Sequence, residues 1–238
     1  MSKHIFLDVG GHLGQSVEVA VSPAWTFDHV HTFEPEPASA RHIETRFAGA
    51  IREGRLTVHQ AALGNEDGTL TLFGDNSKGG ASVVDGALSA SGAGIAVDCI
   101  DVNRFVSELG DGVRIYMKLN CEGGEVGILD RLCEASSVST IAAIVADFDV
   151  VKRGFGYYEK RRVMRRALSR GLPVVLSEHV MVGKTHALRL TNWLSRYPEI
   201  AAPGTAPIAR PQLLKRRVRY FIRDLTSAAG LNAPGYRR

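Results

Sequence analysis

Apolar, β-branched runs alternate along this chain with longer stretches of helical periodicity, and this alternation constrains the fold most strongly. Candidate strands are HIFLDV (4–9), HVHTFE (29–34), LTVHQAAL (56–63), VRIYMKLN (113–120), IAAIVADFD (141–149), PVVLSE (173–178) and HALRLTN (186–192). Helical patterns fall near 14–22, 36–50, 122–135 and 157–170. Such an order predicts an α/β protein with a mostly parallel, seven-stranded sheet and helices on both faces. Unbroken apolar runs such as AAIVA fit strands buried on both sides. Residues 64–100 break the rhythm with an acidic turn, an alternating strand and the loop DNSKGGASVVDG, which predicts a β-hairpin insertion.

The alternation ends near residue 200. From AAPGTAPIARP (201–211) the composition turns to Pro, Ala and Gly, as in a linker. Leu214, Val218, Phe221, Ile222 and Leu225 then recur at helical spacing among Lys215, Arg216, Arg217, Arg219 and Arg223. The expected organisation is one domain over 1–200 and a basic amphipathic tail over 201–238.

With 238 residues, 45% of them hydrophobic, the chain is long enough to bury one sizeable core. No apolar run approaches the ~20 residues that span a bilayer. Residues 1–9 read as a strand rather than a secretory signal, and three cysteines without ligand spacing predict a reducing, cytoplasmic setting. The net charge of +4 is uneven. Residues 152–170 and 201–238 each carry eight Lys/Arg against one acid, a net of +7 apiece, which leaves −10 for the rest. An acidic body with two basic elements favours an anionic partner.

The stretch HIFLDVGGHLG (4–14) carries the first functional signal. At the end of the first strand of an open parallel sheet, glycines allow a close backbone approach, and an acid ending the second strand meets ribose hydroxyls. Glu34 follows Gly14 by 20 residues and ends a strand, the spacing of a nucleoside-cofactor site. A dinucleotide fingerprint needs glycine where His12 stands, and no G-x-x-x-x-G-K-[ST] loop is present. Asp8 beside the glycines would repel pyrophosphate, yet suits an ammonium and a sulfonium. Asp8 therefore favours S-adenosylmethionine over NAD. Asp8, Gly10, Gly11 and Gly14 are expected at the methionine end of that cofactor, with Glu34 on the ribose. Ala61 and Ala62 are expected near the adenine.

Several blocks in order resemble the FkbM-type S-adenosylmethionine-dependent methyltransferases: FLDVGGHLGQS, HTFEPEP (31–37), VHQAALGNEDGTLTLF (58–73), GGASVVDG and YMKLNCEGGEVGIL (116–129). The resemblance covers roughly residues 4–150. It implies a Rossmann-like class I methyltransferase fold and O-methylation of a saccharide, glycolipid or secondary-metabolite hydroxyl. It also draws His12, Ser16 and Pro35 into the cofactor set. Two positions depart from the family pattern. His12 stands where Asn is usual, and Asn120 stands where Asp is usual. Asn120 is neutral and cannot serve as a carboxylate base. Asp147 or Asp149 is the expected counterpart of an acid in the family's next strand.

Lys118, Asn120, Glu122 and Glu125 form a polar cluster at the fourth strand and its helix, where Glu122 or Glu125 could orient an acceptor hydroxyl. The alternative for these acids is interaction with the helix dipole. His179, or Glu178 beside it, is a candidate general base. Arg161, Arg162, Arg165, Arg166 and Arg170 line a helix that is either a solvated face or a site for an anionic or lipid-linked acceptor. The tail offers peripheral membrane contact or docking on the acidic body. No metal ligand set is visible. Two other functions stay open: nucleic-acid methylation, opposed by the absence of a [DNS]-P-P-[YF] motif, and cofactor binding with lost catalysis, which Asn120 motivates.

Overall fold

The computed structural model describes residues 2–73, 94–134, 136–148 and 156–204. The GGASVVDG loop, Asp149 and most of the basic tail lie outside the described residues. In chain order the first elements are β1 (Lys3–Val9), α1 (Gln15–Ala20), β2 (His29–Phe33), α2 (Pro37–Arg46), α3 (Ala48–Arg52) and β3 (Leu56–His59). Next come β4 (Ala62–Gly64), β5 (Gly68–Leu72), β6 (Ile95–Asp101) and α4 (Val102–Glu108). The second half holds β7 (Val113–Leu119), α5 (Glu125–Leu132), β8 (Ile141–Ala146), α6 (Gly156–Ser169), β9 (Val174–Leu176), α7 (Ser177–Val180) and α8 (His186–Leu194).

The central sheet has six parallel strands in the order β3-β2-β1-β7-β8-β9. The chain winds outward from β1 to β3, then returns to the other side of β1. The crevice between the ends of β1 and β7 is therefore the topological switch point, where open α/β sheets bind ligands. Within 62–101 lies a separate three-stranded sheet, β4-β6-β5, with β5 antiparallel to β6 as the hairpin reading requires and β4 drawn from the end of the expected 56–63 strand.

Strand alternation sends successive side chains to opposite faces. Ile5, Leu7 and Val9 of β1 join Ile115, Met117 and Leu119 of β7 in a core covered by α4, α5 and α6. Phe6 and Tyr116 point the other way, into a second core with Val17, Ile43, Trp193 and Leu194. Asp8 and Lys118 stand on that second face, one step beyond Phe6 and Tyr116, and are paired in register.

The seventh strand expected at 186–192 is a helix instead, α8. Thr185 caps it, its hydroxyl accepting from Leu188 N at 3.2 Å. Leu190, Trp193 and Leu194 are fully buried at the i, i+3, i+4 spacing of a helix face, while Leu188 is 45% exposed. The short alternation in HALRLTN resembled a strand; the period became helical only when extended to Trp193 and Leu194.

On the edge pair β2 and β3, three imidazoles form a row. His29 and His31 rings lie 4.5 Å apart, and His31 Nδ1 meets His59 Nε2 at 3.1 Å. Phe105 of α4 packs edge-on against His31 and His59. Burial, with like charge from His29 and His59, lowers the His31 pKa to about 3.

Candidate active site

The glycines after β1 answer first to protein, not ligand. Gly10 has φ +85°, and a Cβ there would sit 1.9 Å from the carbonyl oxygen of Asn120. It thus lets the diverging ends of β1 and β7 pass in contact. A Cβ at Gly11 would meet Thr32 Oγ1 at 2.4 Å. The amides of Gly10 and Gly11 both donate to Phe33 O at 3.0 Å, tying this turn to the end of β2. Gly14 caps α1 at φ +79° against the Phe47 ring.

Over this junction lies a cavity of about 500 Å³. Its floor is the Val9–His12 turn, one wall is Phe33–Pro35, and another is the Lys118–Gly124 loop. Ala62, Leu63, Gly64, Leu70 and Leu72 of the small sheet supply an apolar roof. The hairpin insertion therefore closes one side of the site.

Glu34 is 7% exposed and lines this cavity. Its Oε2 accepts from His12 N at 2.6 Å and its Oε1 from Glu36 N at 2.9 Å. These bonds orient the carboxylate and leave further lone pairs for a ligand. Burial is the main influence on it and pushes its pKa up to about 7, against the two amide donors and Lys118. Glu36 also starts the next helix, accepting from Ala38 N and Ser39 N, with Pro37 preset for the first turn.

Among the described residues, two other than glycine hold left-handed backbone, His12 at φ 49° and Glu122 at φ 53°, and both line the cavity. Such conformations cost free energy and concentrate at ligand sites. The loop carrying Glu122 is clamped by Glu125. That side chain is fully buried, with Oε1 accepting from Cys121 N at 3.0 Å and Oε2 from Gly123 N at 3.1 Å. Glu125 does not line this cavity, and its carboxylate is spent on fixing the loop rather than on the contact with an acceptor that the sequence suggests.

Asp8 also departs from its expected place. It is 0% exposed, absent from the cavity lining, and has Lys118 Nζ 3.0 Å from Oδ1. Thr32 Oγ1 donates to Oδ2 at 3.3 Å. The contact with Lys118 is ionic rather than a well-aligned hydrogen bond, since Oδ1 has no hydrogen-bond partner and the ammonium donates to Gly10 O at 2.7 Å. Lys118 neutralises the carboxylate that was to attract a cationic ligand. Gly14 and Ala61 likewise lie off the lining, the first because it packs on Phe47 and the second because it is buried next to it. Gly10, Gly11, His12, Ser16, Glu34, Pro35, Ala62, Lys118, Asn120 and Glu122 are brought together.

A second cavity of about 270 Å³ adjoins the first. Lys118, Asn120 and His186 border both, so these three side chains form the shared wall. Asp147, Ser177, Glu178 and Arg189 line the remainder together with the apolar Leu119, Val145 and Met181. His186 opens α8, and its Nε2 lies 2.9 Å from Ser16 Oγ. Burial, then the Lys118 cation, lower its pKa; Asp8 opposes this and Arg189 adds to it. The imidazole is therefore neutral near pH 7. His179, the expected base, lines neither cavity, while Glu178 does and pairs with Lys160 at 2.9 Å. Burial opposes ionisation of Glu178, but the Lys160 contact prevails and holds its pKa below normal. Sequence reasoning missed His186 because the strand assignment hid it; the Thr185-x-x-Leu188 cap was the available signal.

The basic helix α6 is partly committed. Arg162 and Arg166 pair with Asp130 of α5, and Arg170 Nε donates to Cys133 O at 2.9 Å. Among the described residues no helix is long and apolar enough to cross a membrane.

Residues 8–163 match the methyltransferase FkbM domain family. No curated protein matches the chain. Among solved structures, the methyltransferase FkbM from Methylobacillus flagellatus KT is similar at 14% identity with a TM-score of 0.43. That alignment covers 69% of this chain and 37% of the other.

Proposed function

This chain belongs to the FkbM methyltransferase family, and from that premise we propose that it moves a methyl group from S-adenosylmethionine to a hydroxyl of a saccharide, glycolipid or secondary metabolite. The observation that carries this reading is the pair of cavities meeting at Lys118, Asn120 and His186 over the sheet's switch point. The larger cavity suits the donor. Glu34 offers a carboxylate to ribose hydroxyls, and Phe33, Leu63 and Leu72 offer apolar surface to adenine. The smaller, polar cavity suits the acceptor.

S-adenosylmethionine, when bound, supplies an electrophilic methyl group on a sulfonium. The protein's own part is alignment, which can lower a barrier by ~7–11 kcal/mol, and removal of one proton. Lys118, near the end of β7, and Asn120, just past it, fix the wall between the two cavities. His186, neutral and half-buried there, takes the acceptor's hydroxyl proton, its ring oriented by Ser16 Oγ at 2.9 Å from Nε2. A base on this wall makes a carboxylate at position 120 dispensable, so Asn120 is compatible with transfer.

Calorimetry with S-adenosylhomocysteine, on the native chain and on Glu34→Ala, tests the donor site. Uptake by the native chain that weakens in the variant is expected; no uptake by the folded native chain would end this reading. Uptake without transfer of labelled methyl to any of a broad glycan and lipid panel would favour loss of catalysis.

A further inference from the structure

We propose that the cavity beside His186 selects an acceptor about the size of one sugar ring that carries a carboxylate or phosphate, with Arg189 gripping that anion. The inference rests on the methyl-transfer reading above. Its volume of about 270 Å³ is below the ~300–1,000 Å³ typical of drug-sized ligands and fits a small polar molecule.

The charges around it are unequal in their commitments. Lys118 is paired with Asp8, and Glu178 with Lys160. Asp147 also has an interaction of its own. Arg189 donates only through Nε, to Gly183 O at 3.0 Å, and its two terminal nitrogens meet no acid among the described residues. A guanidinium fork with both ends available matches a carboxylate or phosphate edge in two parallel hydrogen bonds. Glu178, Asp147 and Ser177 supply acceptors along the remaining wall, which suit the hydroxyl donors of a sugar.

Helical spacing sets the distance between binding and reaction. His186 and Arg189 are three apart on α8, so their Cβ atoms are neighbours ~5–6 Å apart on one face. An anion on Arg189 brings a hydroxyl on an adjacent carbon of the same ring toward His186. An uncharged sugar keeps the hydroxyl contacts of the wall but lacks this anchor.

The test titrates D-glucuronate, D-glucose 6-phosphate and D-glucose into the full chain saturated with S-adenosylhomocysteine, read by calorimetry and by protein-observed NMR. At least one anionic sugar is expected to bind roughly tenfold or more tightly than glucose, about what a charge-assisted hydrogen-bonded pair supplies. Which anion binds better assigns the carboxylate or the phosphate. Arg189→Gln is expected to erase the preference while leaving S-adenosylhomocysteine affinity unchanged and the chain folded, with only the small stability loss of the Nε bond to Gly183 O, and Arg189→Lys to restore part of the preference. Equal binding of the three sugars, binding of none, or a preference that survives Arg189→Gln would overturn the proposal. Loss of S-adenosylhomocysteine binding in the native chain would instead sink the methyl-transfer reading, so the two failures are distinct.

Discussion

Asp8 and Lys118 face each other across β1 and β7 as register partners, 3.0 Å from oxygen to nitrogen, with both side chains shut off from solvent. Removing one partner of a buried pair strands the other charge, which costs ~3–5 kcal/mol, whereas an apolar pair of similar volume is often near neutral. Lys118→Met is therefore expected to lower unfolding free energy by that amount. The double variant Asp8→Leu, Lys118→Met should recover most of it. Urea denaturation checks both, and a Lys118→Met protein as stable as the native one would refute the coupling.

Gly10→Ala should be more damaging than its size implies. The added methyl meets backbone at 1.9 Å and the residue must keep φ +85°, so a loss of ~2–5 kcal/mol is expected. Gly54→Ala shares a positive φ, +68°, but meets nothing within 4 Å. It should cost only the left-handed backbone penalty, ~1–2 kcal/mol. Comparable losses at the two positions would show that the contact with Asn120 is unimportant.

Glu34 gives the donor site a pH signature. With its pKa near 7 in the folded chain against 4.5 ordinarily, the carboxylate forms fully only above neutrality. A ribose hydroxyl needs that ionised acceptor. Affinity for S-adenosylhomocysteine is thus expected to rise between about pH 6 and 8. Glu34→Gln should bind roughly 10–100-fold more weakly, with little of that rise, since hydrogen bonds to charged groups contribute ~1.5–3 kcal/mol. Calorimetry across this range decides it.

The proposed proton-transfer role separates the two histidines of the late segment. His186→Asn is expected to slow labelled methyl transfer by ~10²–10⁴-fold while S-adenosylhomocysteine still binds. His179→Asn, away from both cavities, should leave the rate within about a factor of 2, as substitutions remote from a site do. The reverse ranking would move the base to α7.

The histidine row controls acid stability. The folded pKa of His31 is about 3 against 6.5 ordinarily, so between those values the unfolded chain binds the extra proton. Stability from this residue is complete above pH 6.5 and is lost as pH falls toward 3. Glu34 works the opposite way, losing stability as pH rises from 4.5 to 7. The measurable quantity is accordingly the difference between the native chain and His31→Phe, whose acid-side slope should be shallower. Identical pH dependence of the two unfolding midpoints would remove the row from consideration.

Much of the lining of the larger cavity is readable in the sequence, because short-range rules govern it. Glycines after an apolar strand and an acid 20 residues on report a switch-point turn, and Glu34 lies on the cavity as those rules require. Asp8 shows where they stop. Its neighbour in space is Lys118, 110 residues away, and only the strand order brings them together. Glu125 reads as a surface helix acid until the loop folds back and its carboxylate is buried beneath two amides. His186 is lost to a seven-residue window too short to separate period 2 from period 3.6.

Helix α8 begins past residue 163, where the family match ends, yet its first turn walls both cavities. The wall between the two cavities is thus drawn from both sides of that limit, Lys118 and Asn120 from within the matched stretch and His186 from beyond it. A substitution in the first turn of α8 is accordingly felt in both cavities at once.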